Sequence, residues 1–109
     1  MIRVWEYDVA EAAMADVERV YGADGAWARL FATTDGFEGT ELFVSLSSPG
    51  HYLSVDRFRD DASWHRFLAE QRAAYAALDA ETSALTLAER ELIGPDVTAV
   101  VSVDADPEA

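Results

Sequence analysis

The run Asp35-Gly-Phe-Glu-Gly-Thr-Glu-Leu-Phe43, followed by Tyr52-Leu-Ser-Val-Asp-Arg-Phe58, decides the architecture. From Thr40 to Leu46 the residues alternate with the period of a strand. Leu42, Val44 and Leu46 fall on one side, and Glu41, Phe43 and Ser45 on the other. Ser47-Ser-Pro-Gly50 is a turn, because proline fixes φ and glycine tolerates a positive one. Tyr52 to Phe58 is the next strand, antiparallel to its predecessor because the link is too short for a crossover. Thr33-Thr-Asp-Gly36 supplies the turn that introduces the pair. Together the two strands read as the middle of a sheet.

On the N-terminal side, Ile2 to Tyr7 is short and rich in branched and aromatic residues, with Ile2, Val4 and Glu6 opposed to Arg3, Trp5 and Tyr7. This is a further strand. Asp8-Val-Ala-Glu11 carries a capping-box pattern, in which Asp8 accepts from a first-turn amide and Glu11 reaches back to the amide of Asp8. The spacing of Val9, Ala13, Val17 and Val20 predicts a helix to about Tyr21. Gly22 and Gly25 interrupt it before Ala26-Trp-Ala-Arg-Leu-Phe31 resumes, so the helix is expected to be kinked or in two parts.

On the C-terminal side, Asp60 or Asp61 caps a second helix whose stripe is Trp64, Phe67, Leu68, Tyr75, Leu78 and Leu85. Ala88 to Ile93 is a last strand, stopped by Gly94-Pro95. Val97 to Val103 is branched enough for another extended segment, and an acidic tail begins at Asp104. The order strand-helix-strand-strand-helix-strand is the split βαβ pattern of ferredoxin-like α+β domains. Right-handed crossovers put both helices on one face of a four-stranded antiparallel sheet. Trp5, Tyr7 and Phe43, with Arg3 and Glu41, are expected on the opposite face. Such a face suits a homodimer in which two sheets meet.

The 109 residues make one domain, read as residues 1–95 plus a C-terminal extension over 96–109. Half the residues are apolar and 11% aromatic, enough for a packed core and far from a disordered composition. The absence of cysteine excludes disulfides, thiolate metal sites and cysteine nucleophiles. A net charge of −13 repels phosphate backbones and anionic lipid headgroups, which argues against nucleic-acid binding. All eight basic residues are arginine, a composition that fits GC-rich coding better than adaptation to salt. No apolar stretch approaches the ~20 residues needed to cross a membrane, and no basic region precedes an apolar run at the start. A soluble cytoplasmic protein is expected.

The run from Asp35 to Leu42, then Tyr52 to Phe58, then Ser63-Trp-His-Arg-Phe67, resembles the antibiotic biosynthesis monooxygenase family, part of the dimeric α+β barrel superfamily. The segment Tyr21 to Phe31 resembles a subset of its members, and the likeness spans roughly residues 1–95. It implies a ferredoxin-like βαββαβ fold that forms a dimeric α+β barrel. Members of the family include cofactor-independent oxygenases of polycyclic phenols, haem-degrading enzymes and small isomerases or cyclases, and fold alone does not choose among them. Haem degraders have an asparagine on the first strand, a tryptophan early in the second helix and a histidine about three turns later. Trp64 matches the second element. Glu6 and Tyr7 stand where the asparagine is needed, and Ala74 and Tyr75 where the histidine is, so haem degradation is disfavoured.

A cofactor-independent oxygenase needs aromatic walls and one or two polar groups that help remove a proton. Trp27, Phe31, Trp64, Tyr75 and Tyr7 are candidates for the walls of a substrate pocket, with packing in the core as the competing role for each. His65 and His51 have side chains that titrate near neutrality. His65 lies about 100° around the helix from Trp64, toward solvent or a groove rim, with Asp61 four residues earlier as a partner. His51 reads as an exposed turn residue. Asp56, in mid-strand, either faces solvent, or pairs with Arg57 or Arg59, or is buried with a raised pKa and able to act as a base. Asp56 and His65 are therefore the catalytic candidates.

No metal-ligand spacing, phosphate loop, nucleophile elbow or dinucleotide fingerprint is present, and neither cofactor nor metal is expected. The leading expectation is a homodimeric, cofactor-independent monooxygenase acting on a small aromatic or polyketide-type molecule in an apolar pocket. The alternatives are a non-catalytic dimeric ligand-binding or regulatory module, and a related cyclase or isomerase.

Overall fold

The computed structural model describes residues 1–94 and residue 100. Strand β1 spans Ile2–Asp8, followed by a short 3-10 turn at Glu11–Ala13 and helices α1 (Met14–Tyr21) and α2 (Ala26–Phe31). Strands β2 (Phe37–Val44) and β3 (His51–Phe58) come next, then helix α3 (Asp61–Thr82), a 3-10 turn at Ser83–Leu85 and strand β4 (Ala88–Ile93). The strands form one antiparallel sheet in the order β2-β3-β1-β4. This is the expected ferredoxin-like arrangement. The quoted strands are not both central, however: β3 is, whereas β2 lies at an edge. The proposed extension over Val97–Val103 and the acidic tail lie outside the described residues, Val100 apart.

The β1–β3 ladder runs in unbroken register from Ile2 opposite Arg57 to Asp8 opposite His51. It is prolonged by Met1, whose carbonyl accepts from the Phe58 amide at 2.9 Å. Because side chains alternate along a strand, this register places Arg3, Trp5 and Tyr7 on the same face as Asp56, Ser54 and Tyr52. That face meets the helices: the Tyr7 ring packs at a tilt against Tyr21 of α1, 4.9 Å between centroids, and Tyr52 donates to Glu18 of α1 at 2.8 Å. The expectation for the β1 faces was therefore inverted. Trp5, Tyr7 and Arg3 point into the molecule, and Val4, Leu53 and Val55 lie on the outer face with Phe43 and Glu41, which are where they were expected. An alternating strand is symmetric in its pattern, and here both of its faces include large apolar residues.

The core is aromatic. Phe31, Phe58, Trp64 and Phe67 lie within 5.1–6.3 Å of one another by ring centroid, mostly tilted or edge-on. All four are almost fully buried, each contributing about 1.5–3 kcal/mol in apolar burial. Of the two candidate caps, Asp60 caps α3 and Asp61 is its first residue; the Asp60 carboxylate accepts from the Ser63 amide at 2.8 Å and the Ser63 hydroxyl at 2.7 Å. Ser63 packs against the chain at Gly36, where φ is +101° and a side chain would collide with the serine hydroxyl. The turn and the helix start are thus fitted to each other.

Three local expectations are corrected. The capping box at Asp8 does not form: Asp8 ends β1, its carboxylate takes a hydrogen bond from His51 instead, and the 3-10 turn begins after Ala10 with no side-chain cap. Leu46 falls beyond the end of β2 and is 99% exposed. Helix α3 is broken at Gln71, where φ −119° and ψ 22° leave the helical region. No proline or glycine marks that point in the sequence.

His51 is a strand residue rather than a turn residue, and ties two strands together. Its Nδ1 lies 3.1 Å from Asp8 and its Nε2 3.3 Å from Glu6, both on β1. The hydrogen bond to Asp8 raises its pKa above the ordinary 6.5, against a smaller opposing effect of burial. Its stabilising contribution is then complete below pH 6.5 and disappears as pH rises through the higher folded-state value. His51→Gln should lower the melting temperature at mildly acidic pH and converge with the parent protein at alkaline pH, as read by thermal unfolding across a pH series.

Candidate active site

A cavity of about 160 Å³ opens between the inner sheet face and the helices. Its floor is Arg3, Trp5 and Tyr7 of β1 with Ser54 and Asp56 of β3. Its walls are Tyr21 of α1, Trp27 and Phe31 of α2, and Tyr75 of α3. Asp79 and Glu89, both exposed, stand at its rim. Five of these residues come from two adjacent strands because the register and the pleat bring residues two apart onto one side. The short helix α2 contributes Trp27 and Phe31, one turn apart on the same flank. Tyr75 and Asp79 come after the break at Gln71, so the second half of α3 supplies that side of the opening.

The walls are braced by one another. Trp27 meets Tyr75 edge-on at 5.1 Å, stacks with Tyr21 at 6.4 Å and lies 5.8 Å from Phe31. Its indole N–H donates to Thr82 Oγ1 at 3.3 Å, and that hydroxyl donates in turn to the Leu78 carbonyl. On the floor, the Tyr7 hydroxyl and Ser54 Oγ are 3.2 Å apart. Burial pushes the Tyr7 phenol well above its ordinary value, and burial likewise raises Tyr21. Both therefore stay protonated at physiological pH, as hydroxyls able to donate or accept.

Asp56 is the carboxylate of the floor. It is 6% exposed and accepts from Thr40 Oγ1 of β2 at 2.6 Å. The alternative in which it is buried is the one observed. The alternative pairing with Arg57 or Arg59 does not occur: Arg57 turns outward to Glu41, and Arg59 meets Asp35 and Asp60. Its cationic neighbour is instead Arg3, directly across the β1–β3 ladder. Burial raises the Asp56 pKa, and the Thr40 hydrogen bond and the charge of Arg3 offset only part of that effect. A carboxylate raised in this way is a stronger base than an exposed one once ionised.

Arg3 was missed in the sequence, although it is the buried cation of the site. It is 5% exposed, and its guanidinium sits over the Trp64 ring, 4.1 Å from the centroid. Arg3 is the one basic residue among the three charged residues of β1, and its face emerges only from the pairing with β3.

Of the residues singled out beforehand, Tyr7, Trp27, Phe31, Tyr75 and Asp56 converge on the cavity. Trp64 does not line it; it is 3% exposed and supports Arg3 from behind. His65 is exposed on α3, away from the cavity lining, and makes no ion pair with Asp61. Among the described residues no cluster of three or more potential metal ligands occurs, and no helix is long and apolar enough to cross a membrane.

No protein-family model and no curated protein matches the sequence. Solved structures do match the fold. One is a variant of SnoaB, a cofactor-independent oxygenase from Streptomyces nogalater, which is 20% identical with a TM-score of 0.69 over 95% of this chain and 96% of its own. Another is a Deinococcus radiodurans protein provisionally assigned as an antibiotic biosynthesis monooxygenase. It is 18% identical with a TM-score of 0.63 over 95% of this chain and 98% of its own. A third, an antibiotic biosynthesis monooxygenase, is 16% identical with a TM-score of 0.53 over 86% and 98%. At such identities the likeness establishes a common fold.

Because the folded pKa of Asp56 lies above its ordinary 3.8, ionisation is harder in the folded protein than in the unfolded chain. The relative stability this confers is complete below pH 3.8 and is lost as pH rises through the folded value. Asp56→Asn, which keeps an acceptor for Thr40, should therefore equal or exceed the parent protein in melting temperature at pH 7. Its advantage should shrink on acidification, measured by thermal unfolding at matched ionic strength.

Proposed function

We propose that the protein is a cofactor-independent monooxygenase of the antibiotic biosynthesis type, acting on a small aromatic or polyketide-derived phenol. The observation that carries this reading is a buried carboxylate of raised pKa, Asp56, on the floor of an aromatic-walled cavity. The fold it shares with a cofactor-independent oxygenase supports the reading as well.

Asp56 takes a proton from the bound substrate, and the electron pair left behind spreads over the ring system as a carbanion. The carbanion passes one electron to O2, and the resulting radical pair joins through a new C–O bond to give a peroxide. Proton return and loss of water leave a carbonyl at the oxidised carbon. The balance is one CH2 group and one O2 in, one C=O and one H2O out, with the substrate as sole reductant. Trp27, Phe31 and Tyr75 hold the ring and exclude water, while the protonated Tyr7 and Ser54 hydroxyls orient its oxygens.

Oxygen uptake with a panel of anthrone-type phenols should reveal turnover that needs no added metal or flavin. Asp56→Asn should lower its rate by about 10²–10⁴-fold. Absence of uptake across the panel would overturn the reading, and turnover that persists under argon would replace it with cyclisation or isomerisation.

The same proposal includes a homodimer formed through the outer sheet face. Val4, Leu53, Val55 and Ile93 lie on that face beside Phe43, which is 49% exposed. Ion pairs of Arg57 with Glu41 and of Arg90 with Glu6 border this apolar centre. Light scattering should give twice the 11.9 kDa chain mass, and Phe43→Arg should shift the protein toward monomer.

A further inference from the structure

Arg3 has more hydrogen-bonding capacity than the described residues use. A guanidinium offers five N–H donors. Here Nη2 makes one long contact, 3.4 Å, to the partly exposed Glu91 of β4, and Nε is buried with no hydrogen-bond partner among the described residues. The planar group is held by rings rather than by acceptors: Trp64 at 4.1 Å and Trp5 at 5.8 Å. A buried cation with idle donors is normally costly, and a well-formed protein interior satisfies it. Arg3 also lines the cavity, directly across the ladder from Asp56.

The geometry points to Arg3 as the subsite for an ionisable ring oxygen, so that the ligand class is a phenol or enol bound as its anion, with Asp56 as the neighbouring proton acceptor. This rests on the proposed oxygenase reading and specifies its substrate. The step balances within the site: the O–H bond breaks, the proton goes to the Asp56 carboxylate, and the electron pair stays on the oxygen that faces Arg3. No net charge is created. A negative charge moves from a buried carboxylate to an oxygen beside a guanidinium whose donors were idle.

The other charged groups facing this position decide less. Glu91 and Glu89 come from β4 and Asp79 from α3, and all three are partly or fully exposed, where water and salt weaken their fields. Tyr7 from β1 and Tyr21 from α1 are held protonated by burial. Arg3 and Asp56 are the charged pair in the low-dielectric floor, where electrostatic interactions are strongest.

The test uses the whole protein with para-nitrophenol, whose anion absorbs in the visible, and with para-nitroanisole, its methyl ether, which cannot ionise. At a pH just below the phenol's own pKa, the bound phenol should show a larger phenolate band than the free one. Its affinity should exceed that of the ether by about tenfold or more, the size expected for charge-assisted hydrogen bonds. Arg3→Gln should lose both effects while still binding the ether, and Arg3→Lys should restore part of the phenolate band. Equal affinity of phenol and ether in the unaltered protein would overturn the proposal without any variant having to fold, as would failure of both to bind. An undiminished phenolate band in Arg3→Gln would overturn it too. A phenolate band without any oxygen uptake by the anthrone panel would uphold the Arg3 subsite and remove the oxygenase reading, so the two fail separately.

Discussion

The unbroken register of β1 against β3 is the constraint on which the rest depends. Seven consecutive pairs, from Ile2 with Arg57 to Asp8 with His51, leave each residue one possible face. A slip of a single residue would turn Arg3, Trp5 and Tyr7 out to solvent and bring Ile2, Val4 and Glu6 under the helices. The aromatic cluster around Phe31 and Phe67 would then lose its sheet partners, and the two buried charges would lose each other. Ties at both ends hold the ladder in place: Met1 with Phe58 at one, and His51 with Asp8 and Glu6 at the other. Fold and site are specified by the same set of pairs.

Much of this was legible in the sequence, and the failures have physical causes. Element order, the two-part first helix, a cap at Asp60 or Asp61 and the bounds of β4 all follow from short-range chemistry, which a linear reading captures. Which face of β1 looks inward does not, because period-two alternation gives two faces and says nothing about which is covered. Tyr7 and Trp5 were placed on the outside for that reason. The capping box failed because its supposed cap, Asp8, had a better partner 43 residues away in His51. Tertiary contacts outrank local motifs when both compete for one carboxylate.

The candidate site divides in the same way. The aromatic walls Trp27, Phe31 and Tyr75 were visible as helix stripes, since residues that fill a core and residues that line a cavity obey the same periodicity. The polar floor was half visible. Asp56 stood out as a charge in mid-strand, whereas its partner Arg3 is 53 positions earlier and emerges only from the cross-strand pairing. Trp64 was read as a wall and instead serves as a plate against which the guanidinium lies. His65, attractive for its titration range, has an exposed position on the wrong side of α3.

The acidic rim of the cavity carries a consequence of its own. Asp79 and Glu89 stand at the opening of a chain whose net charge is −13, so an approaching anion meets a repulsive potential before it reaches Arg3. A neutral phenol meets none. For the proposed phenol, the opening and the floor would therefore favour opposite protonation states of one molecule, and diffusion through the mouth would filter the form in which it arrives. On the proposed reading, ionisation would be confined to the interior, behind a barrier that added salt would lower.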